Sequence, residues 1–231
     1  WLIDDYYDPD QSAPDKTYGR RGAFLDEVSF NPIEFGVPPS IVPATDTAQL
    51  LGLIVAQQVL NDATGGQFAS MDKERCSVIL GVTSAQELLG DMVSRLQRPL
   101  WQKSLRNAGI AESKVEEVCE RIASEYVPWQ ESTFPGLLGN VVAGRIANRM
   151  NLGGTNCTVD AACASSLSAM KMAISDLLEY RADMMIAGGV DADNSPMMYM
   201  CFSKTPAFTS GENPRPFDQD SGGVMIGEGL G

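Results

Sequence analysis

Apolar residues along this chain fall into two kinds of pattern: short continuous runs, and longer stretches in which they return every three or four positions. "CSVILGV" (76–82) and "CTVDA" (157–161) are runs bounded by charge, glycine or turn residues, as expected of strands buried on both faces, and "DMMIAGGV" (183–190), ending in paired glycines, predicts a third strand. "GVMIGEGLG" (223–231) predicts a fourth strand. Helical spacing runs through "TAQLLGLIVAQQVLNDA", with Thr45 or Asp46 as its cap and Gly65-Gly66 as its stop. Further helices are expected over 85–107, interrupted near Pro99, over 112–126, and in "LLGNVVAGRIANRM", where Gly and Ala permit close packing. Beyond Cys163, Leu167, Met170, Ala173, Ile174, Leu177 and Leu178 keep helical spacing. The first forty-odd positions, rich in Pro, Gly, Asp and Tyr, predict extended, turn-rich chain.

Strands alternating with long helices indicate an α/β architecture, with a largely parallel or mixed sheet covered by helices. No internal repeat, low-complexity tract or linker interrupts the pattern, so one domain is expected. The chain opens on Trp1 and stops on Gly231 inside an apolar strand pattern, and it reads as an excerpt of a longer polypeptide.

Composition narrows the function. With 231 residues and 44% of them hydrophobic, the chain can bury a substantial core. Its 17 basic and 30 acidic residues give a net charge of −13, which repels phosphate backbones and anionic lipids, so neither nucleic acid nor membrane is an expected partner. No apolar stretch approaches the roughly 20 residues of a membrane helix, and "WLIDDYYDPD" is acidic where a signal peptide is basic. A cytoplasmic location is expected. The five cysteines (76, 119, 157, 163 and 201) are odd in number and widely spaced, with no CxxC, so reduced thiols and no metal site are expected. The clustered glycines match neither phosphate-cradling spacing, and no bound cofactor is expected. Histidine is absent, which removes the usual general base and the usual partner of a nucleophilic Ser or Cys.

Chemistry concentrates in "VDAACASSLSAMKMAISDLL" (159–178). Cys163 falls at or just before the first turn of a helix, where unpaired N–H groups and the helix dipole favour thiolate. Its small neighbours Ala161, Ala162, Ala164, Ser165 and Ser166 let a strand turn sharply and let a carbonyl approach the sulfur, as in a nucleophile elbow with an oxyanion hole. The other reading is a small buried residue, the commoner fate of free cysteine. Asp160 reads as a group that fixes the turn through hydrogen bonds, since no histidine awaits orientation. Glu228 reads as a structural acceptor for backbone N–H groups, or as a buried carboxylate. Met184 and Met185 read as core, whereas Met197, Met198, Met200 and Phe202 read equally as core or as the lining of an acyl tunnel. Arg145 and Arg149, one helical turn apart, read as a solvated or salt-bridged face, with contact to a phosphate arm or an acidic protein as the alternative.

"GNVVAGRIANRMNLGGTNCTVDAACASSLSAMKMAISDLL", "MMIAGGVD" and "FSKTPAFTSGENPRPFDQDSGGVMIGEGLG" stand in this order along the chain, and together they resemble the N-terminal half of β-ketoacyl synthases, the condensing enzymes of fatty-acid and polyketide assembly. The flanks "DDYYDPD", "APDKTYGRRGAF", "NPIEFGVPP" and "DNSPMMYMCFSKTPAFT" resemble the ketosynthase domains of bacterial polyunsaturated fatty acid synthases. The resemblance implies the N-terminal half of a thiolase-like fold over 1–231, lacking the first strand and the C-terminal half. It implies Cys163 as the acyl acceptor and its own N–H as an oxyanion donor; Asp160 and Glu228 are secondary residues on their own chemistry. It also implies loading from the phosphopantetheine arm of an acyl carrier protein, then decarboxylative condensation with malonyl-carrier protein in a homodimer paired along 157–161. The family's catalytic histidines and lysine belong to the C-terminal half, so this segment alone is expected not to condense. Gly222 stands where many members carry Asp. A non-decarboxylating acyltransferase of the same fold and a non-catalytic half-domain are the alternatives.

Overall fold

The computed structural model describes residues 1–83 and 86–231. These cluster into two compact units, one of residues 30–190 with Gly231, the other of residues 1–29 with 191–230.

The first α-helix of the larger unit is α1 (Thr47–Ala63), capped by Asp46, whose carboxylate accepts the Ala48 N–H at 3.0 Å. Strand β1 (Cys76–Gly81) is buried at every position. The expected long helix is two, α2 (Gln86–Leu96) and α3 (Arg98–Asn107), broken at Gln97 with Pro99 in the first turn of α3, where its missing N–H costs nothing. The expected starting residue, Ala85, lies outside the described residues. Helix α4 (Glu112–Ser124) follows, and Arg98 and Arg106 of α3 pair with Glu116, Glu120 and Glu112 across the hairpin. The short α5 (Thr133–Leu137) precedes α6 (Asn140–Met150), which ends on Asn151 in the left-handed conformation. Strand β2 (Asn156–Val159), α7 (Ser165–Leu178) and β3 (Met184–Asp191) complete the unit.

Strand β1 lies between β2 and β3, parallel to both, with Gly81 in register with Val159 on one side and Gly189 on the other. Gly231 exchanges two backbone hydrogen bonds with Gly189 at 2.8 and 3.1 Å. Helices α6 and α7 pack on β1, and α1 packs on α6 through Gly52, against which Val142 and Ile146 press. Two expectations need correction. The second strand is not buried on both faces: Asn156 is exposed and Cys157, Thr158 and Val159 are half-buried, because β2 has a partner on one side only among the described residues. Met184 and Met185 are likewise half-buried, not core.

A buried polar hub ties the helices together. The Gln49 side chain on α1 is fully enclosed. Its amide donates to the carbonyls of Pro135 and Gly136, both at 3.0 Å, and Leu138 at 3.3 Å, while its Oε1 accepts from Arg145 Nε on α6 at 3.1 Å. Arg145 is therefore neither a solvated face nor a salt bridge. Burial lowers its pKa, and proximity to Arg149 adds to that.

The smaller unit contains α8 (Pro196–Lys204), with the two-residue strand β4 (Gly229–Leu230) at the end of its chain. Its 1–29 segment is extended and turn-rich, as its composition predicts. Tyr199 on α8 is buried, with Trp1 edge-on at a centroid distance of 5.0 Å and Phe208 at 5.4 Å. Thr17 and Ser203, both buried, share a hydroxyl–hydroxyl bond of 2.7 Å. No helix among the described residues is long and apolar enough to cross a membrane.

Two substitutions probe this framework. Gln49→Leu keeps the volume but leaves the half-buried Arg145 Nε without its acceptor and three carbonyls with their backbone N–H alone, and is expected to cost about 1–3 kcal/mol. Gly81→Ala places a Cβ 2.4 Å from the Ser165 carbonyl carbon and 2.5 Å from the Ser166 nitrogen; displacing backbone at that contact is expected to cost at least about 1–3 kcal/mol. Limited proteolysis of the intact polypeptide with temperature reads both, each variant being cut at lower temperature than wild type.

Candidate active site

The parallel strands β1 and β2 end at Gly81 and Val159, level with Gly189 near the end of β3. In open parallel sheets reactive groups gather at this carboxyl end. The chain leaves β2 there through Asp160, Ala161, Ala162 and Cys163 and enters α7 at Ser165.

Missing Cβ atoms make the turn possible. A Cβ on Gly81 would meet the Ser165–Ser166 backbone, and one on Gly189 would lie 2.8 Å from the Ser166 Cβ. The two glycines sit side by side in the ladder, so the first turn of α7 rests directly on the sheet end.

Local hydrogen bonds hold the elbow. Ala162 adopts φ 49°, a left-handed conformation that L-residues other than Gly, Asn and Asp seldom take. The Asp160 carboxylate accepts the Ala162 N–H at 3.0 Å. Ser165 Oγ accepts from the Ala161 N–H at 2.8 Å and donates to the Ala162 carbonyl at 2.6 Å. The Ala164 N–H also reaches the Ala161 carbonyl, at 3.1 Å. Asp160 thus fixes the turn through hydrogen bonds, the reading its neighbourhood suggested. Ser165, noticed in the sequence for its smallness alone, closes the turn from both sides.

Cys163 is exposed, which sets aside its reading as a small buried residue; Cys76 and Cys119 are the buried thiols. Burial pushes the Cys76 and Cys157 thiols up, with Asp72 and Asp176 respectively as the next cause. Helix α7 buries Ser165, Ala169 and Ala173. Its large apolar residues face the other way: Leu167 and Leu178 are 68% and 74% exposed, with Met170, Ile174 and Leu177 exposed beside them.

The remaining sequence candidates belong to the smaller unit. Glu228 Oε2 accepts the Leu25 N–H at 2.9 Å, the structural acceptor expected of it. Met197, Met198, Met200 and Phe202 lie on α8; Met197 is exposed, and Met198, Met200 and Phe202 are half-buried. Gly222 is exposed, and a Cβ there would stand 3.8 Å from Thr209 Oγ1, so nothing in the backbone excludes a side chain. Among the described residues, no cluster of Cys, Asp and Glu could hold a metal ion.

The chain is similar to known proteins. The family model for the N-terminal domain of β-ketoacyl synthase matches residues 1–231. A polyunsaturated fatty acid synthase polypeptide from a Thraustochytrium species is 40% identical over 224 residues, 97% of this chain and 8% of that protein. Polyketide synthase GfsB of Streptomyces halstedii is 29% identical over 232 residues, all of this chain and 4% of that protein. The oxazolomycin ketosynthase domain OzmH KS7 from Streptomyces albus superposes with a TM-score of 0.73 at 22% identity, over 97% of this chain and 34% of that one. A ketosynthase of the bacillaene synthase from Bacillus subtilis gives 0.72 at 23%, over all of this chain and 32% of that one. The chain therefore spans a small part of its curated relatives and about a third of the ketosynthase structures, whose thiolase-like fold it shares. Matched from end to end by the family's own N-terminal domain, and folded as its solved ketosynthases are, the chain belongs to the β-ketoacyl synthase family.

Proposed function

We propose that this chain is the nucleophile-bearing part of a ketosynthase that works in polyunsaturated fatty acid or polyketide synthesis. The observation that carries the reading is an exposed cysteine at a strand-to-helix elbow, in a chain matched along its whole length by the family.

The family resemblance supplies the chemistry, and the geometry of the elbow supports it. Cys163 sulfur, as thiolate, attacks the carbonyl carbon of an acyl thioester on the phosphopantetheine arm of an acyl carrier protein. The carrier thiol leaves with the electron pair, and the acyl group stays on Cys163 as a new thioester. Small neighbours leave room for the approaching carbonyl. The Cys163 N–H, which has no acceptor among the described residues, is free to meet the developing oxyanion. In the second stage malonyl-carrier protein loses carbon dioxide, the resulting carbanion attacks the thioester carbon, and Cys163 departs as thiolate. Capture on sulfur splits one hard bond formation into two easier steps. With no histidine among 231 residues, proton handling in that stage falls to residues outside this chain, and the segment alone does not condense.

Partner and location belong to the same reading. The exposed apolar face of α7 and the open edge of β2 suit burial against the rest of a full-length ketosynthase and a second copy, with β2 pairing across a homodimer. Met197, Met198, Met200 and Phe202 contact the acyl chain. The enzyme acts in the cytoplasm, with neither nucleic acid nor membrane as a partner.

Mass spectrometry of the full-length synthase after incubation with an acyl-carrier protein tests the acceptor. The peptide containing Cys163 is expected to gain one acyl group, and Cys163→Ala to abolish the gain and all ketoacyl product. Acylation elsewhere, or product from the variant, would overturn the assignment. Addition of malonyl-carrier protein separates condensation from simple acyl transfer: ketoacyl product appears in the first case and none in the second. Ser165→Ala leaves the Ala161 N–H without its acceptor and the Ala162 carbonyl with the Ser165 backbone N–H alone, at a cost of about 1–3 kcal/mol. Acyl loading in that variant is expected to slow at least about tenfold, since one tenfold step corresponds to 1.4 kcal/mol of transition-state positioning, while Ser175→Ala on the same helix leaves loading unchanged.

A further inference from the structure

We propose that the smaller unit carries a second binding site, a groove for an organic phosphate ester held by Arg20 and Arg21. The groove encloses about 360 Å³ and is walled by Tyr7, Tyr18 and Phe208, with Thr209, Ser210 and Glu212 along its rim.

Charge gathers in this groove. Of the eleven arginines, Arg75, Arg98, Arg106 and Arg181 pair with carboxylates. Arg20 and Arg21 are adjacent, both line the groove, and neither has a carboxylate partner among the described residues. The Glu212 carboxylate is the single acidic group on the groove wall, so the site keeps a net positive charge.

The two guanidiniums are also positioned. The Arg20 guanidinium lies over the Tyr7 ring, its carbon 4.6 Å from the centroid. Stacking holds the flat face and leaves the N–H edge free, which is the edge that grips an oxyanion in bidentate fashion. Arg21 Nη1 donates to the Glu212 carbonyl at 2.6 Å, anchoring the head while its other donors remain available. Tyr18 stands edge-on to Phe208 at a centroid distance of 5.9 Å, giving the groove a rigid apolar wall. Two forked donors beside aromatic walls and hydroxyls suit an oxyanion attached to an apolar or aromatic body better than a bare ion. A phosphate ester, with its charge and three free oxygens, offers both forks an acceptor.

The proposal does not rest on Cys163, and its test is independent of acyl transfer. Phenyl phosphate, inorganic phosphate and phenol are titrated into the full-length synthase by calorimetry. Phenyl phosphate is expected to bind saturably and several-fold more tightly than inorganic phosphate, with phenol not binding. Arg20→Gln and Arg21→Gln are each expected to weaken phenyl phosphate at least about tenfold, the loss of one charge-assisted pair. Cys163→Ala is expected to bind it as wild type does. Arginine modification by phenylglyoxal in the wild-type protein gives a reading that needs no variant, because phenyl phosphate is expected to protect the peptide holding Arg20 and Arg21. Absence of saturable binding, unprotected arginines, or glutamine variants that bind normally would each overturn the site.

Discussion

Everything at the reactive end of this molecule depends on the close approach of one helix to one sheet. The first turn of α7 touches the ends of β1 and β3 through Gly81 and Gly189, and a methyl group at either position would occupy space that Ser165 and Ser166 already fill. Glycine carries an entropic cost in a strand, and here that cost is offset by a geometry no other residue permits. Since the strands are in parallel register, both glycines arrive at the same level as Val159, and the chain has only a few residues in which to reverse from β2 into α7. Tight contact therefore dictates a tight turn. The tight turn in turn lifts Cys163 off the sheet and into solvent.

Away from the elbow, the larger unit is held by a different device. Gln49 adds a side-chain donor to three carbonyls that already accept the backbone N–H groups of Leu138, Asp46 and Val141, and so links α1 to the segment around α5 while taking a donor from Arg145 on α6. Such a hub is more costly to break than to form, because the enclosed amide or the half-buried Arg145 Nε would be left without its partner. The apolar contact of α1 with α6 through Gly52 gives proximity, and the hub gives the helices one alignment.

What the sequence made legible follows physical locality. Asp46 as a cap, the break near Pro99, the strand over 76–82 and the elbow at Cys163 are each written in a few adjacent residues, and each is where the pattern placed it. Asp160 and Glu228 make the backbone hydrogen bonds their residue types suggest. The misjudged features depend on partners far along the chain. Apolar periodicity marks α7 as amphipathic without saying which stripe faces this sheet, and it is the alanines, not the leucines and methionines, that do. The run around β2 reads as buried because hydropathy does not count strand neighbours. Arg145 reads as a surface charge because its acceptor stands 96 positions earlier. The clamp at Ser165 and the facing glycines left a faint signal, a serine among small residues and two apolar runs with glycine near their ends, but neither has meaning until the strands are aligned.

Ala162 brings these strands of argument together. At φ 49° an alanine is strained by roughly 1–3 kcal/mol, a burden glycine would not carry. Glycine would also let the turn sample many other conformations, and a nucleophile is useful when it is held at one position and in one direction. With alanine, the alternatives are sterically limited, and the strained conformation is retained by three hydrogen bonds from Asp160 and Ser165 at 2.6–3.0 Å. Ser165 can supply two of them because the glycines let its backbone rest on the sheet, burying its hydroxyl beneath the turn. Strain at Ala162, the clamp at Ser165 and the missing Cβ atoms of Gly81 and Gly189 are one device: each makes the others sterically or energetically possible, and the position of Cys163 is its output.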